Sequence, residues 1–230
     1  MQEATAAVEG YFNNICFDLN VSNKQKDQMW DKILLHYNEP QRHYHTMTHI
    51  EDLMTKLSQY SAKIQDQIVV QLAILYHDII YDPLSKTNEE DSAKYFEIAF
   101  EDILSDHQGG RDMLRKVKYY ILATKHHDQK IHEEEDISEL QLFLDFDLSI
   151  LGSSSERYDA YSQQIRQEYS TFPDKDYCTG RLKVLRGILN NGECIYCSDI
   201  FRSAYETQAR LNIDRECKAL EQQLQQLGVN

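Results

Sequence analysis

The sequence predicts an all-α fold, and three observations predict it. Apolar residues recur at three- and four-residue spacing in ten successive segments, the period of a helix with one buried face. Only three prolines and eight glycines interrupt 230 residues, which leaves room for long helices. No alternating apolar–polar run extends beyond a few residues, so no strand is expected.

The elements follow in order. Ala4, Ala7, Val8, Tyr11, Phe12 and Ile15 form the first stripe. Ser22 is the expected N-cap of the second helix, with Gln25 completing a capping box. The stripe of that helix is Met29, Trp30, Ile33, Leu34 and Tyr37, and Pro40 follows it. Leu53, Met54, Leu57 and Tyr60 mark the third. A fourth is expected from about 62 to 81 through Ile64, Ile68, Val69, Leu72, Leu75, Tyr76 and Ile79, with Pro83 ending it. Asn88 is the expected cap of the fifth, which carries Phe96, Ala99, Phe100, Ile103 and Leu104 and stops before Gly109-Gly110. Leu114, Val117, Ile121 and Leu122 define the sixth, and the apolar run from Leu140 to Leu151, closed by Gly152, defines the seventh. Tyr158, Tyr161, Ile165 and Tyr169 mark the eighth, Leu182, Leu185, Ile188 and Leu189 the ninth, and Ile200 to Leu227 the tenth. The chain is expected to form one domain over 1–230, with its core at about 45–152.

Composition bounds the function. With 41% hydrophobic residues the chain can build a core, and no apolar run reaches the length of a membrane span. The N-terminus has acidic residues where a signal peptide needs positive charge, so a soluble cytoplasmic protein is expected. A net charge of −14 repels nucleic-acid backbones and argues against duplex binding. A small anionic substrate then requires a local offset, which a bound divalent ion supplies. Five cysteines suggest no disulfide framework. Cys194 and Cys197, three apart, are expected to share a helical face as small hydrophobes, since no second pair sits at zinc-ribbon spacing. A homodimer is compatible with the sequence.

One stretch departs from the pattern. "AILYHDIIYDP" sets His77 and Asp78 side by side in the most apolar helix. An unpaired buried carboxylate costs several kcal/mol even after relaxation, and no Arg or Lys lies within one turn of Asp78. A divalent cation offsets that cost, and imidazoles complete its sphere. Adjacent helical positions project about 100° apart, so other helices must supply further ligands. His49 and Asp147 are candidates. His45 and His49, four apart, are expected on one helical face. Asp82, four residues after Asp78, is expected on its face as a proton acceptor. Lys86 is a candidate for holding a phosphate oxygen, and Arg42 for pairing with an acid or a phosphate. His126 and His127 close the sixth helix, and helix phase favours His127 as the inward-facing one.

The order His49, His77-Asp78, Asp147 resembles the HD superfamily of metal-dependent phosphohydrolases, named for the adjacent His-Asp. The blocks "RHYHTMTHI", "YHDIIYDP", "NEEDSA", "ILATKHH" and "DFDLSILG" look like successive blocks of one HD subgroup, and "IRQEYSTFPDKDYCTGR" and "ETQARLNI" like its C-terminal blocks. The resemblance spans roughly 37–215. It implies a helical bundle with a central metal held by His49, His77, Asp78 and Asp147. Asp147, preceding "LSIL" and expected to start a helix, is preferred to Asp145, which is left as a support or a cap. Mn²⁺, Fe²⁺, Co²⁺, Ni²⁺, Zn²⁺ or Mg²⁺ would fit mixed imidazole and carboxylate ligands. The resemblance links Glu90 to the site. The candidate catalytic residues are then His127, Asp82 and Glu90, and the candidate substrate contacts Lys86, His45, Arg42 and His126. The expected reaction is hydrolysis of a small phosphate ester, a nucleotide or other phosphomonoester, by metal-activated water. Two rivals stand beside it. One is a di-iron oxygenase on the same scaffold, for which the spare histidines suffice. The other is a nucleotide-binding signalling domain without turnover, with Leu220, Leu224 and Leu227 on a contact surface.

Overall fold

In a computed structural model that describes residues 2–126, 137–190 and 194–228, helices account for all the regular structure and no strand occurs among the described residues. The all-α expectation is met, and each of the ten apolar stripes falls mainly on one helix, with a few end residues beyond it. The chain divides into two compact units, Met1–His127 and Asp128–Asn230.

The first unit contains α1 (Gln2–Asp18), α2 (Asn23–Tyr37), α3 (Met47–Gln59), α4 (Gln67–Tyr76), α5 (Asn88–Ser105) and α6 (Gly110–Ala123), with 3₁₀ turns at Ser61–Lys63 and Thr124–His126. Helix α4 is the hub. It packs against α1, α3, α5 and α6, and Val69, Val70 and every residue from Leu72 to Tyr76 are buried. A helix enclosed on all sides needs no polar face, which explains why its sequence is apolar almost throughout. Ser22 caps α2 as expected: its Oγ accepts the Gln25 N–H at 3.3 Å and donates to Gln25 Oε1 at 2.7 Å. Ser22→Ala is expected to destabilise this unit by about 1 kcal/mol in urea unfolding.

The fourth helix is shorter than its pattern suggests. It starts at Gln67, after a 3₁₀ turn, and ends at Tyr76, not near residue 81. The apolar residues Ile79 and Ile64 still reach the core from outside the helix. Beyond His77 the backbone is taken over by side chains from elsewhere, as described below. The cap of α5 is Thr87 and not Asn88, whose side chain instead holds the backbone of Asp82. At the α5–α6 turn Gly109 has φ +76°, and a Cβ on Gly110 would lie 1.8 Å from the Leu104 carbonyl oxygen, so both glycines are required there.

The second unit contains α7 (Ile137–Leu148), a 3₁₀ turn at Ser149–Gly152, α8 (Ser155–Glu168), α9 (Asp174–Asn190) and the long α10 (Asp199–Gln226). Helix α10 packs along α8, α9 and the 3₁₀ turn. Gly152 makes that approach close: a Cβ there would meet Cβ of Tyr205 at 2.6 Å. Two expectations change here. Cys194 and Cys197 lie in the loop before α10, not on a helical face, with Cys194 exposed. Asp147 sits in the last turn of α7 and does not start a helix.

Candidate metal centre

The histidine of α3 and the residues just after α4 meet in the first unit. His49 stands in the first turn of α3 and is buried; His77 is the C-cap of α4 and is also buried. Because α4 stops at Tyr76, Asp78 is carried on a turn, with a side chain 19% exposed. His49 Nε2 lies 3.3 Å from His77 Nε2. Oδ2 of Asp78 lies 3.0 Å from His77 Nε2 and 3.7 Å from His49 Nε2. A point equidistant from these three atoms lies about 2 Å from each, the bond length of an imidazole nitrogen or carboxylate oxygen to a small divalent ion.

The donor chemistry also fits a cation. Nδ1 of His77 is 2.9 Å from the Ile74 carbonyl oxygen. A carbonyl only accepts, so Nδ1–H donates, and in the neutral ring Nε2 keeps its lone pair. That lone pair faces a carboxylate oxygen and a second imidazole. This is how metal-binding histidines are commonly held, with the remote nitrogen tied to a backbone carbonyl. Among the described residues, His49, His77 and Asp78 are the one group of three or more His, Cys, Asp or Glu close enough to share an ion.

His45 completes the wall on one side. It precedes α3 instead of lying on it, yet its Nε2 is 3.9 Å from Asp78 Oδ2 and its side chain is 20% exposed. Its ring lies against Tyr81 at 4.3 Å between centroids and edge-on to Tyr44 at 5.0 Å. The Arg42 guanidinium also lies over the Tyr81 ring, at 5.4 Å from its centroid.

Arg42 is placed differently from the substrate contact expected of it. Its side chain is 0% exposed. Nη1 donates to the carbonyls of Asp78 at 2.7 Å and His45 at 3.2 Å, Nη2 donates to the Ile79 carbonyl at 2.9 Å, and Nε donates to Glu39 at 3.1 Å. Backbone carbonyls and one acid occupy four of its five N–H donors on a fully buried side chain, which fits the acid-pairing half of the expectation and does not place it as a phosphate contact. Arg42 is an internal brace joining the segment before α3 to the turn after α4.

The remaining candidates lie further out. Asp82 does not share a helical face with Asp78, since no helix continues there. It is exposed, and its Oδ1 accepts the Leu84 N–H at 2.8 Å. Glu90 is ion-paired with Lys125, whose ammonium also donates to the Lys86 carbonyl at 2.7 Å. Lys86 is exposed. His127 and the side chain of His126 lie outside the described residues.

In the second unit Asp147 is half-buried in α7. Asp145 is fully buried, and its two carboxylate oxygens accept the N–H groups of Cys197 at 2.7 Å and Ser198 at 2.8 Å. Burial pushes its pKa up to about 6, against the opposing effect of those hydrogen bonds and of Arg202. Asp145 thus fastens the loop that leads into α10, close to the capping role left open for it. Burial likewise pushes the Cys197 thiol up to about 11, which suits a small buried-edge residue and not a reactive thiolate. Arg181 forms an internal ion pair with Glu216 at 2.9 Å, and Arg166 pairs with Asp174 at 2.7 Å.

Sequence reasoning missed the supports: the Ile74 carbonyl behind His77, and the side chains of Asn88 and Ser92 on the turn after Asp78. Each is a contact between a side chain and a backbone group whose position depends on where α4 ends, and spacing carries no signal for that. No helix of the described residues is long and apolar enough to cross a membrane. No curated protein and no solved structure matches the chain. Residues 46–148, which include His49, the His77-Asp78 pair and Asp147, match the family model of the HD domain. The matched segment carries the adjacent His and Asp that give those domains their name, lying against a third side chain that could share an ion with them, and over 46–148 the chain is similar to an HD domain.

Proposed function

We propose that the protein is a metal-dependent phosphohydrolase acting on a small phosphate ester, a nucleotide or another phosphomonoester. The observation that carries this is the convergence of His49 Nε2, His77 Nε2 and Asp78 Oδ2 around one point in an HD domain. Asp147 is the fourth ligand in this reading, as the family resemblance implies. Two imidazoles with carboxylates suit Mn²⁺, Fe²⁺, Co²⁺, Ni²⁺ or Zn²⁺, with Mg²⁺ less favoured because it prefers oxygen ligands. Such an ion supplies Lewis acidity toward a phosphoryl oxygen and lowers the pKa of a coordinated water.

The protein's own side chains do the rest. The Ile74 carbonyl holds His77 in the tautomer that presents Nε2. His45, partly exposed and facing Asp78, can hold a phosphate oxygen or move a proton at Nε2. Lys86, at the surface, is proposed to meet the anionic end of the substrate, with His126 and His127 on the leaving group. The net charge of −14 makes the local positive centre necessary for any such substrate. His45 also supports a second reading, in which two ions bind and Asp78 bridges them, because its Nε2 lies 3.9 Å from Asp78 Oδ2.

The test is metal analysis of the purified protein followed by phosphate release from a panel of nucleotides and sugar phosphates with each divalent ion. Release that needs the ion and stops with chelator is expected. Stoichiometric metal without release from any ester would contradict the hydrolase reading. In that case, two irons per chain with oxygen uptake would point to oxygenation, and tight nucleotide binding without turnover to signalling.

A further inference from the structure

We propose that Asn88 and Ser92 of α5 are positioning residues for the metal centre, acting through the backbone that carries Asp78. The proposal rests on the metal-binding reading above. Residues 78–82 have no regular secondary structure, yet side chains bind the backbone of each one. Arg42 takes the carbonyls of Asp78 and Ile79. Ser92 Oγ accepts the Ile80 N–H at 3.1 Å and donates to the Ile80 carbonyl at 3.3 Å. Gln41 Nε2 donates to the Tyr81 carbonyl at 3.4 Å. The Asn88 amide accepts the Asp82 N–H at 3.1 Å and donates to the Asp82 carbonyl at 2.9 Å.

Asn88 and Ser92 are four apart on one helical face, and they grip alternate residues, Asp82 and Ile80, of the strap. Each satisfies both the N–H and the C=O of one residue, as a neighbouring strand would. The strap is therefore held like the edge of a sheet, with a helix surface in place of the partner strand. Ser92 is fully buried, and α5 packs on α4 and α6, so the grip is anchored to the core. A local cap would have left Asn88 bonded within α5. Its amide faces the strap instead, and Thr87 occupies the cap position. Glu90 of the same block is occupied with Lys125, so Asn88 and Ser92 are the part of "NEEDSA" that reaches the strap leading from Asp78.

The consequence is mechanical. Asp78 is the first residue of the strap, and His77 precedes it at the end of α4. Fixing Ile80 and Asp82 limits how far the Asp78 carboxylate can swing from His49 and His77. Supports of this type, one contact removed from the ion, change metal affinity by about 10- to 100-fold when removed.

The test compares wild type with Asn88→Ala, Ser92→Ala, the double variant and Asn88→Asp. The last keeps the acceptor for the Asp82 N–H and loses the donor to its carbonyl. A carboxylate in the first turn of α5 suits the helix dipole, so this variant folds. Amide exchange is read at Ile80 and Asp82 without metal, and Mn²⁺ affinity by calorimetry. Both amides protected in wild type, Asp82 losing protection in Asn88→Ala and Ile80 in Ser92→Ala while Asn88→Asp keeps Asp82 protected, and Mn²⁺ binding weakened about 10-fold in each alanine variant and less in Asn88→Asp are expected. Wild-type affinity in Asn88→Asp and in a folded double variant would overturn the inference while leaving the metal centre standing. Failure of wild type itself to bind Mn²⁺, Co²⁺ or Zn²⁺ would overturn the metal reading, and this inference with it.

Discussion

Asp78→Ala is expected to remove bound divalent metal and with it any metal-dependent phosphate release, while helical content stays near that of wild type. His77→Ala should do the same. Asp78 is the only carboxylate of the three-residue cluster, and its oxygen lies 3.0 Å from His77 Nε2. Its removal takes away the carboxylate oxygen that faces both imidazoles. The residue stands on a turn with part of its side chain at the surface, so alanine costs little packing. Thermal unfolding with and without metal separates binding from folding. Wild type at 100-fold excess of ion over its dissociation constant gains about 2.7 kcal/mol. The variant should gain nothing, and its metal-free stability should match or exceed that of metal-free wild type, because a carboxylate no longer faces desolvation without a cation.

Glu216→Ala is expected to be the most destabilising single change in the second unit, at about 3–5 kcal/mol in urea unfolding. Glu216 accepts from Arg181 Nε at 2.9 Å and Nη2 at 3.2 Å, and from the Tyr158 hydroxyl at 2.6 Å. The Arg181 and Glu216 side chains are only 10% and 7% exposed. Removing the acid strands a buried guanidinium and a buried hydroxyl together. Burial, reinforced by the Glu216 charge, already drives the Tyr158 hydroxyl far above its usual range, so it cannot ionise to compensate. Glu216→Gln keeps hydrogen-bond capacity and should lose less. A loss under 1 kcal/mol for Glu216→Ala would mean that the pair is far better hydrated than its burial indicates.

The helices were legible because burial of one face imposes a period, and the period survives in the sequence. Trp30, Ile33 and Tyr37 of α2, or Phe96, Phe100 and Leu104 of α5, are buried as their spacing requires. Helix ends were less legible where a competing side chain decided them. Ile79 keeps the apolar phase of α4, so the pattern runs on past Tyr76. The chain leaves the helix because Arg42 and Ser92 provide partners for the backbone of residues 78–80. Arg42 itself illustrates the ambiguity: a cation near an HD pair reads as a phosphate ligand, and only its burial reveals a brace. The His49, His77 and Asp78 cluster was legible for a different reason. Polar ligands in apolar surroundings need a common partner, and that need is visible residue by residue. The cysteines misled because three-residue spacing says nothing about whether a segment is helical.

X-ray absorption at the metal edge of protein loaded with one equivalent of Co²⁺ tests the central claim most directly. The account predicts two imidazole ligands with the remainder oxygen, and loss of one imidazole in His49→Ala. A bound ion surrounded by oxygen alone, unchanged in His49→Ala, would place the metal elsewhere and contradict it.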